Sequence, residues 1–148
     1  MSGYIETYRG VAYPWLCDMM GHLTTQYYLG MFDQASWHLF LAMGFSPDTI
    51  ARTQLGWVDV KNVIEYKREV PMGGLVRIES GVTRVGTKSI EAFHVMRNAA
   101  DGQIHATLLA VTVYFDLKAR TGLPLPADLR EKARSLLVEL PATAVPGS

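Results

Sequence analysis

Asp18, Gly21 and His22 stand close together in the chain, just ahead of its most apolar run. A carboxylate and an imidazole four residues apart can hold and move a proton. A helix starting just after them would add free backbone amides and about half a positive charge. One carboxylate and one aimed amide are enough equipment for addition to an activated carbonyl group. The plainer readings are that Asp18 turns the chain or caps the helix, and that His22 bonds a backbone carbonyl. A metal pair made of Asp18 and His22 is disfavoured, because no third ligand lies nearby in sequence. Cys17 is the single cysteine, which excludes an internal disulfide and a thiolate zinc cage.

The element that must position these groups is a helix expected over 24–43. Tyr28, Phe32, Ala35, Leu39 and Ala42 recur at spacings of three and four. Tyr27, Met31, Trp37 and Leu41 add apolar residues on other faces, so more than one surface must cover it. Thr24 or Thr25 is the expected N-cap, its hydroxyl accepting from a free amide. Gly44 ends the helix. Asp33, Gln34, Ser36 and His38 lie inside this run, so it is no membrane span. A short helix over 47–52 follows, with Ser46 as cap and Pro47 at its first position.

The period then changes to two. A short strand over 7–13 precedes the helix, and four long strands follow it. In the first, over 58–70, Val58, Val60, Ile64, Tyr66 and Val70 share one parity while Asp59, Lys61, Glu65, Lys67 and Glu69 share the other. Turns at 71–74, at Gly86-Thr87 and at Asp101-Gly102 separate strands over 75–85, 89–97 and 104–115. The last is apolar on both parities and belongs in the middle of the sheet. An amphipathic helix over 127–137 closes the fold. One domain is expected over 1–140, with a disordered tail over 141–148. A helix wrapped by an antiparallel sheet is an α+β architecture, and its remaining apolar surface calls for a second subunit.

The chain has 148 residues, 49% hydrophobic and 19% charged, which excludes intrinsic disorder. Fourteen basic residues cancel fourteen acidic ones, so no global field draws nucleic acid or an anionic membrane. The first residues lack a basic start and an apolar core, so no export signal is expected. A cytoplasmic location is expected.

The pattern Asp18-x-x-Gly21-His22, with Tyr28 downstream and four strands after the helix, resembles the hotdog-fold acyl-CoA thioesterases. The likeness is to the 4-hydroxybenzoyl-CoA thioesterase-like branch and covers about 4–135. It implies a hotdog fold, with a long central helix wrapped by a five-stranded antiparallel sheet. It also implies a thioester hydrolase acting on a small acyl- or aryl-CoA. In that branch the aspartate matching Asp18 is base or nucleophile, and a backbone amide matching that of Thr25 polarises the carbonyl. His22 joins the catalytic candidates, and Thr24 and Tyr27 the substrate-binding ones. Arg84, Lys88 and Arg120 would hold coenzyme A, which is part of the substrate, so no cofactor and no metal is expected. Relatives often carry Asn where Thr24 or Thr25 stands, a departure that leaves the acyl group open among aromatic, aliphatic and betainyl types. Self-association as a dimer or tetramer is implied, with the site at the subunit boundary. The alternatives are a hotdog hydratase or dehydratase, and a non-catalytic acyl-CoA-binding subunit.

Overall fold

The computed structural model describes residues 3–141. The elements run β1 (Ile5–Val11), a 3-10 turn (Pro14–Leu16), α1 (Thr25–Ala42), α2 (Pro47–Thr53), β2 (Leu55–Tyr66), β3 (Leu75–Val85), β4 (Ser89–Asn98), β5 (Ile104–Asp116), β6 (Thr121–Gly122) and α3 (Ala127–Ser135). The expected disordered tail lies, beyond Pro141, outside the described residues. The sheet is antiparallel throughout, ordered β1-β3-β4-β5-β2, with β6 as a two-residue addition to β5. The α+β class and the five-stranded antiparallel sheet match the expectation, and β5 lies inside the sheet as its unbroken apolar run requires.

One face of α1 lies on the curled sheet. Tyr28, Met31, Phe32 and Ala35 pack with Val76, Ile78, Met96 and Leu108 from the strands. Phe40 and Met43 continue into a second cluster with Ile90, Tyr114 and Leu129. Trp57 stacks on Phe40 there, with ring centroids 5.1 Å apart. The opposite face is not covered within the protomer, where Leu29, Trp37 and Leu41 are exposed. The sheet therefore sheathes the helix on one side only. Ser46 caps α2 as expected, in a capping box with Thr49.

The β2 parity expectation holds after Val60 and fails up to it. A bulge between Asp59 and Lys61 breaks the register with β5, and Val60 turns outward, 59% exposed. Before the bulge the odd positions face α1, as Trp57 does on Phe40; after it the even positions do, as Ile64 does in the first core cluster. A bulge adds one residue and so swaps the faces of everything beyond it. Asp59, expected on the wet face, ends up on the helix side.

Candidate active site

Residues 12–24 leave β1 and double back to the start of α1. The Asp18 amide donates to the His22 carbonyl at 2.9 Å, and the Gly21 amide to the Asp18 carbonyl at 3.0 Å. Gly21 has φ +80°, a left-handed conformation that glycine adopts without the Cβ penalty. The loop is clamped from outside as well. Leu23 donates to the Val70 carbonyl at 2.8 Å, and Met72 to the Gly21 carbonyl at 2.9 Å. The segment before β3 thus holds the back of the loop.

Within this turn, Oδ1 of Asp18 accepts from the Met20 amide at 2.9 Å and from the His22 amide at 3.4 Å. These bonds fix the carboxylate's orientation, and it lines a cavity of about 420 Å³. His22 lines the same cavity, its Nε2 lying 3.2 Å from a Glu69 carboxylate oxygen. Thr25, at the first position of α1, is also on the wall. Thr24 occupies the N-cap position with extended backbone, but its side chain makes no capping bond. The expected hydroxyl cap is therefore absent, and the first-turn amides, Thr25's included, are not taken up by it. Tyr28 forms the floor, edge-on to Tyr66 with centroids 5.0 Å apart. Burial is the main cause that raises the Tyr28 phenol pKa, so it is a neutral wall.

Asp18, His22 and Thr25 are thus brought together, with Thr24 beside them. Tyr27 instead packs, partly buried, against the core. Arg84, Lys88 and Arg120 do not join the cavity within the protomer. The Lys88 carbonyl accepts from the Tyr114 amide, whereas Tyr66 pairs with Ala106. Eight residues of β5 separate those two points, roughly 26 Å. Arg120 lies over the Phe115 ring at that far end, 5.1 Å from its centroid.

Tyr66, Lys67, Arg68 and Glu69 wall the cavity and were not singled out from the sequence as site residues, where Lys67 and Glu69 read as part of a solvated strand face. They turn inward because the Lys67 and Arg68 amides both donate to the His105 carbonyl, at 2.8 and 3.0 Å. The one local hint was the charge run Lys67-Arg68-Glu69, two residues ahead of Pro71. Among the described residues no group of His, Cys, Asp and Glu is arranged to hold a metal ion.

An antiparallel sheet curled on one long helix is the hotdog architecture of thioesterases. The chain belongs to the Thioesterase-like superfamily, whose family model matches residues 12–133. No curated protein matches the chain. Its fold is similar to that of a Staphylococcus aureus protein solved in complex with CoA, with TM-score 0.85, 12% identity, and coverage of 94% of this chain and 91% of that one. It is also similar to a Thermus thermophilus thioesterase complexed with coenzyme A and Zn, at TM-score 0.78 and 24% identity, covering 92% and 96%. A 1,4-dihydroxy-2-naphthoyl-CoA thioesterase from Synechocystis matches at TM-score 0.75 and 17% identity, covering 86% and 93%.

Proposed function

We propose that this protein hydrolyses a small acyl- or aryl-CoA thioester to the free acid and CoA, with Asp18 as general base or nucleophile. The observation that carries the reading is the Asp18 carboxylate, held through Oδ1 by two amides on a cavity shared with the uncapped start of α1. As base, Asp18 takes a proton from water while the water oxygen adds to the carbonyl carbon. As nucleophile, a carboxylate oxygen adds instead and forms a mixed anhydride that water later opens. In both routes the carbonyl electrons move onto oxygen, which the Thr25 amide and the helix dipole stabilise. Collapse breaks the carbon–sulfur bond and releases CoA thiolate, which takes up a proton. One such donor is commonly worth about 10²-fold or more in rate.

Coenzyme A binding by Arg84, Lys88 and Arg120 requires a second copy of the chain. β2 is a twelve-residue strand at the sheet edge, and unpaired edges of that length invite pairing. Antiparallel pairing of β2 with its copy sets the Tyr66 end of one protomer beside the Trp57 end of the other. That places the copy's three basic residues near this protomer's cavity, where phosphates favour Lys and Arg. An acyl-CoA substrate and the single cysteine agree with a cytoplasmic location.

The test is release of free thiol from a panel of acyl- and aryl-CoA esters, followed with a thiol reagent. Turnover of at least one ester is expected, with KM raised and kcat nearly unchanged in Lys88→Ala. No thiol from any ester contradicts the reading, and CoA binding without turnover would identify a non-catalytic carrier.

A further inference from the structure

The nucleophile route leaves one step without an agent. Once an Asp18 oxygen has added to the carbonyl carbon and CoA thiolate has left, that carboxylate is half of a mixed anhydride. It can no longer take a proton from water, so a second base is needed on the same cavity. Among the other titratable groups on its wall, Lys67 and Arg68 are cations with no acceptor site, and the phenols of Tyr28 and Tyr66 are poor bases. His22 and Glu69 are left. An imidazole is the side chain whose ordinary basicity suits a neutral working pH.

The backbone brings these two side chains together. His22 and Pro71 form an isolated antiparallel bridge, flanked by the bonds from Leu23 to Val70 and from Met72 to Gly21. Glu69 precedes Pro71 by two residues, and its Oε2 lies 3.2 Å from Nε2 of His22. The two cations beside Glu69 are engaged elsewhere. Lys67 Nζ lies 2.7 Å from a Glu65 carboxylate oxygen, and Arg68 pairs with Asp101 at 3.7 Å and with the Gln103 side chain. The His22 and Glu69 side chains are 33% and 75% exposed in the protomer, and ion pairs so placed add little to stability. What the contact does set is the ring. A carboxylate beside Nε2 favours the tautomer with its proton there, which leaves the Nδ1 lone pair to accept. The His22 amide also donates to Oδ1 of Asp18 at 3.4 Å, so base and nucleophile sit on one hydrogen-bonded turn.

We propose that Glu69 is a positioning residue that holds His22 as the base for the second half of the reaction, the opening of the anhydride on Asp18. The inference rests on the thioesterase reading and takes its nucleophile route. Nδ1 of His22 accepts one proton of a water molecule while the water oxygen adds to the acyl carbon. The carbonyl electrons move onto oxygen, then return as the bond from the acyl carbon to the Asp18 oxygen breaks. The products are the free acid, which keeps the second water proton until it ionises, and the restored Asp18 carboxylate. The imidazolium passes its proton to solvent, and until then its charge faces Glu69. One carboxylate thus serves both forms of the ring, by tautomer and by charge.

The test is stopped-flow release of thiol from the best CoA ester by wild type, His22→Gln and Glu69→Gln, with melting temperature as the folding control. Loss of the second-step base lets the first step run once and stall. His22→Gln is therefore expected to release about one thiol per chain in a rapid burst, then to turn over about 10²-fold more slowly than wild type. Glu69→Gln should show the same burst with a steady rate down about tenfold. Hydroxylamine, a nucleophile that needs no base, should restore the steady rate of both variants by cleaving the anhydride to a hydroxamate, after its direct reaction with the ester is subtracted. A merely structural role produces neither the burst nor the rescue. Slow turnover without a burst, or without rescue, in the folded variants overturns the base assignment. A wild-type steady rate in folded Glu69→Gln overturns the positioning role. If His22→Gln does not fold, Glu69→Gln, altered at an exposed side chain, decides by the same readings. No thiol from any ester of the panel with wild type overturns the thioesterase reading and this inference with it, whereas wild-type turnover with variants that fail these readings overturns this inference alone.

Discussion

His94 gives the fold a built-in sensitivity to acid. The ring is fully buried on β4, and loss of hydration pushes its pKa down from 6.5 to about 4. Its Nδ1 lies 2.6 Å from the Ser80 hydroxyl and its Nε2 3.3 Å from that of Ser36. Ser80 meets Thr7 at 2.8 Å, and Ser36 donates to the Phe32 carbonyl at 3.1 Å. A neutral imidazole completes this chain of hydroxyls with one nitrogen donating and the other accepting. An imidazolium, donating at both, leaves a charge in the core with no carboxylate in the chain to balance it. The folded pKa is the lower one, so as pH falls the unfolded chain gains its proton first. Stability contributed by this group is present above pH 6.5 and is lost between about 6.5 and 4. The shift corresponds to about 3 kcal/mol over that window. His94→Leu keeps a similar volume, leaves Ser80 bonded to Thr7 and Ser36 to Phe32, and cannot titrate. Urea unfolding at pH 7, 5.5 and 4, at constant ionic strength, measures the difference. Asp33, with its raised pKa, works in the opposite direction in both proteins and cancels. Wild type should lose about 3 kcal/mol more than His94→Leu between pH 7 and 4. Parallel losses in the two would refute the reasoning.

Three further outcomes are expected. Gly21→Ala forces a side chain onto φ +80°, so urea unfolding should show a loss of about 1–2 kcal/mol and thiol release should fall with the displaced Asp18 loop. Gly81→Ala sets a new Cβ 2.4 Å from a Val138 methyl carbon, and since Val138 donates to the Val82 carbonyl at 2.8 Å, lifting that strap should cost about 1–3 kcal/mol in the same assay. Light scattering at micromolar concentration should give at least twice the chain mass, and a monomer would contradict pairing through β2.

Much of the architecture was legible because it is written in local period. The three-and-four spacing from Tyr28 to Ala42, and Ser46-Pro47 ahead of α2, each name an element from adjacent residues. What was hidden depends on contacts far apart in sequence. The inward turn of Asp59 follows from one extra residue at Val60 in the pairing with β5, and alternation alone cannot register it. Lys67, Arg68 and Glu69 reach the cavity because His105 holds their backbone, some forty positions downstream. Thr24 suits an N-cap by residue type, yet its hydroxyl goes unused there, a rotamer choice that composition does not encode. Arg84, Lys88 and Arg120 resemble a coenzyme A set in sequence, and their distance from Asp18 appears only once the strands are paired.

The central claim is that the Asp18 carboxylate performs the chemistry, and Asp18→Asn tests it most directly. Asparagine keeps the shape and one carbonyl oxygen to accept from the Met20 and His22 amides, and it suits a loop beside a helix start as well as aspartate does. The measurement is kcat for thiol release from the best CoA ester, with melting temperature alongside. The account predicts an unchanged melting temperature and a fall of about 10²-fold or more, near 3 kcal/mol of barrier. A folded Asp18→Asn that turns over at close to the wild-type rate would contradict it.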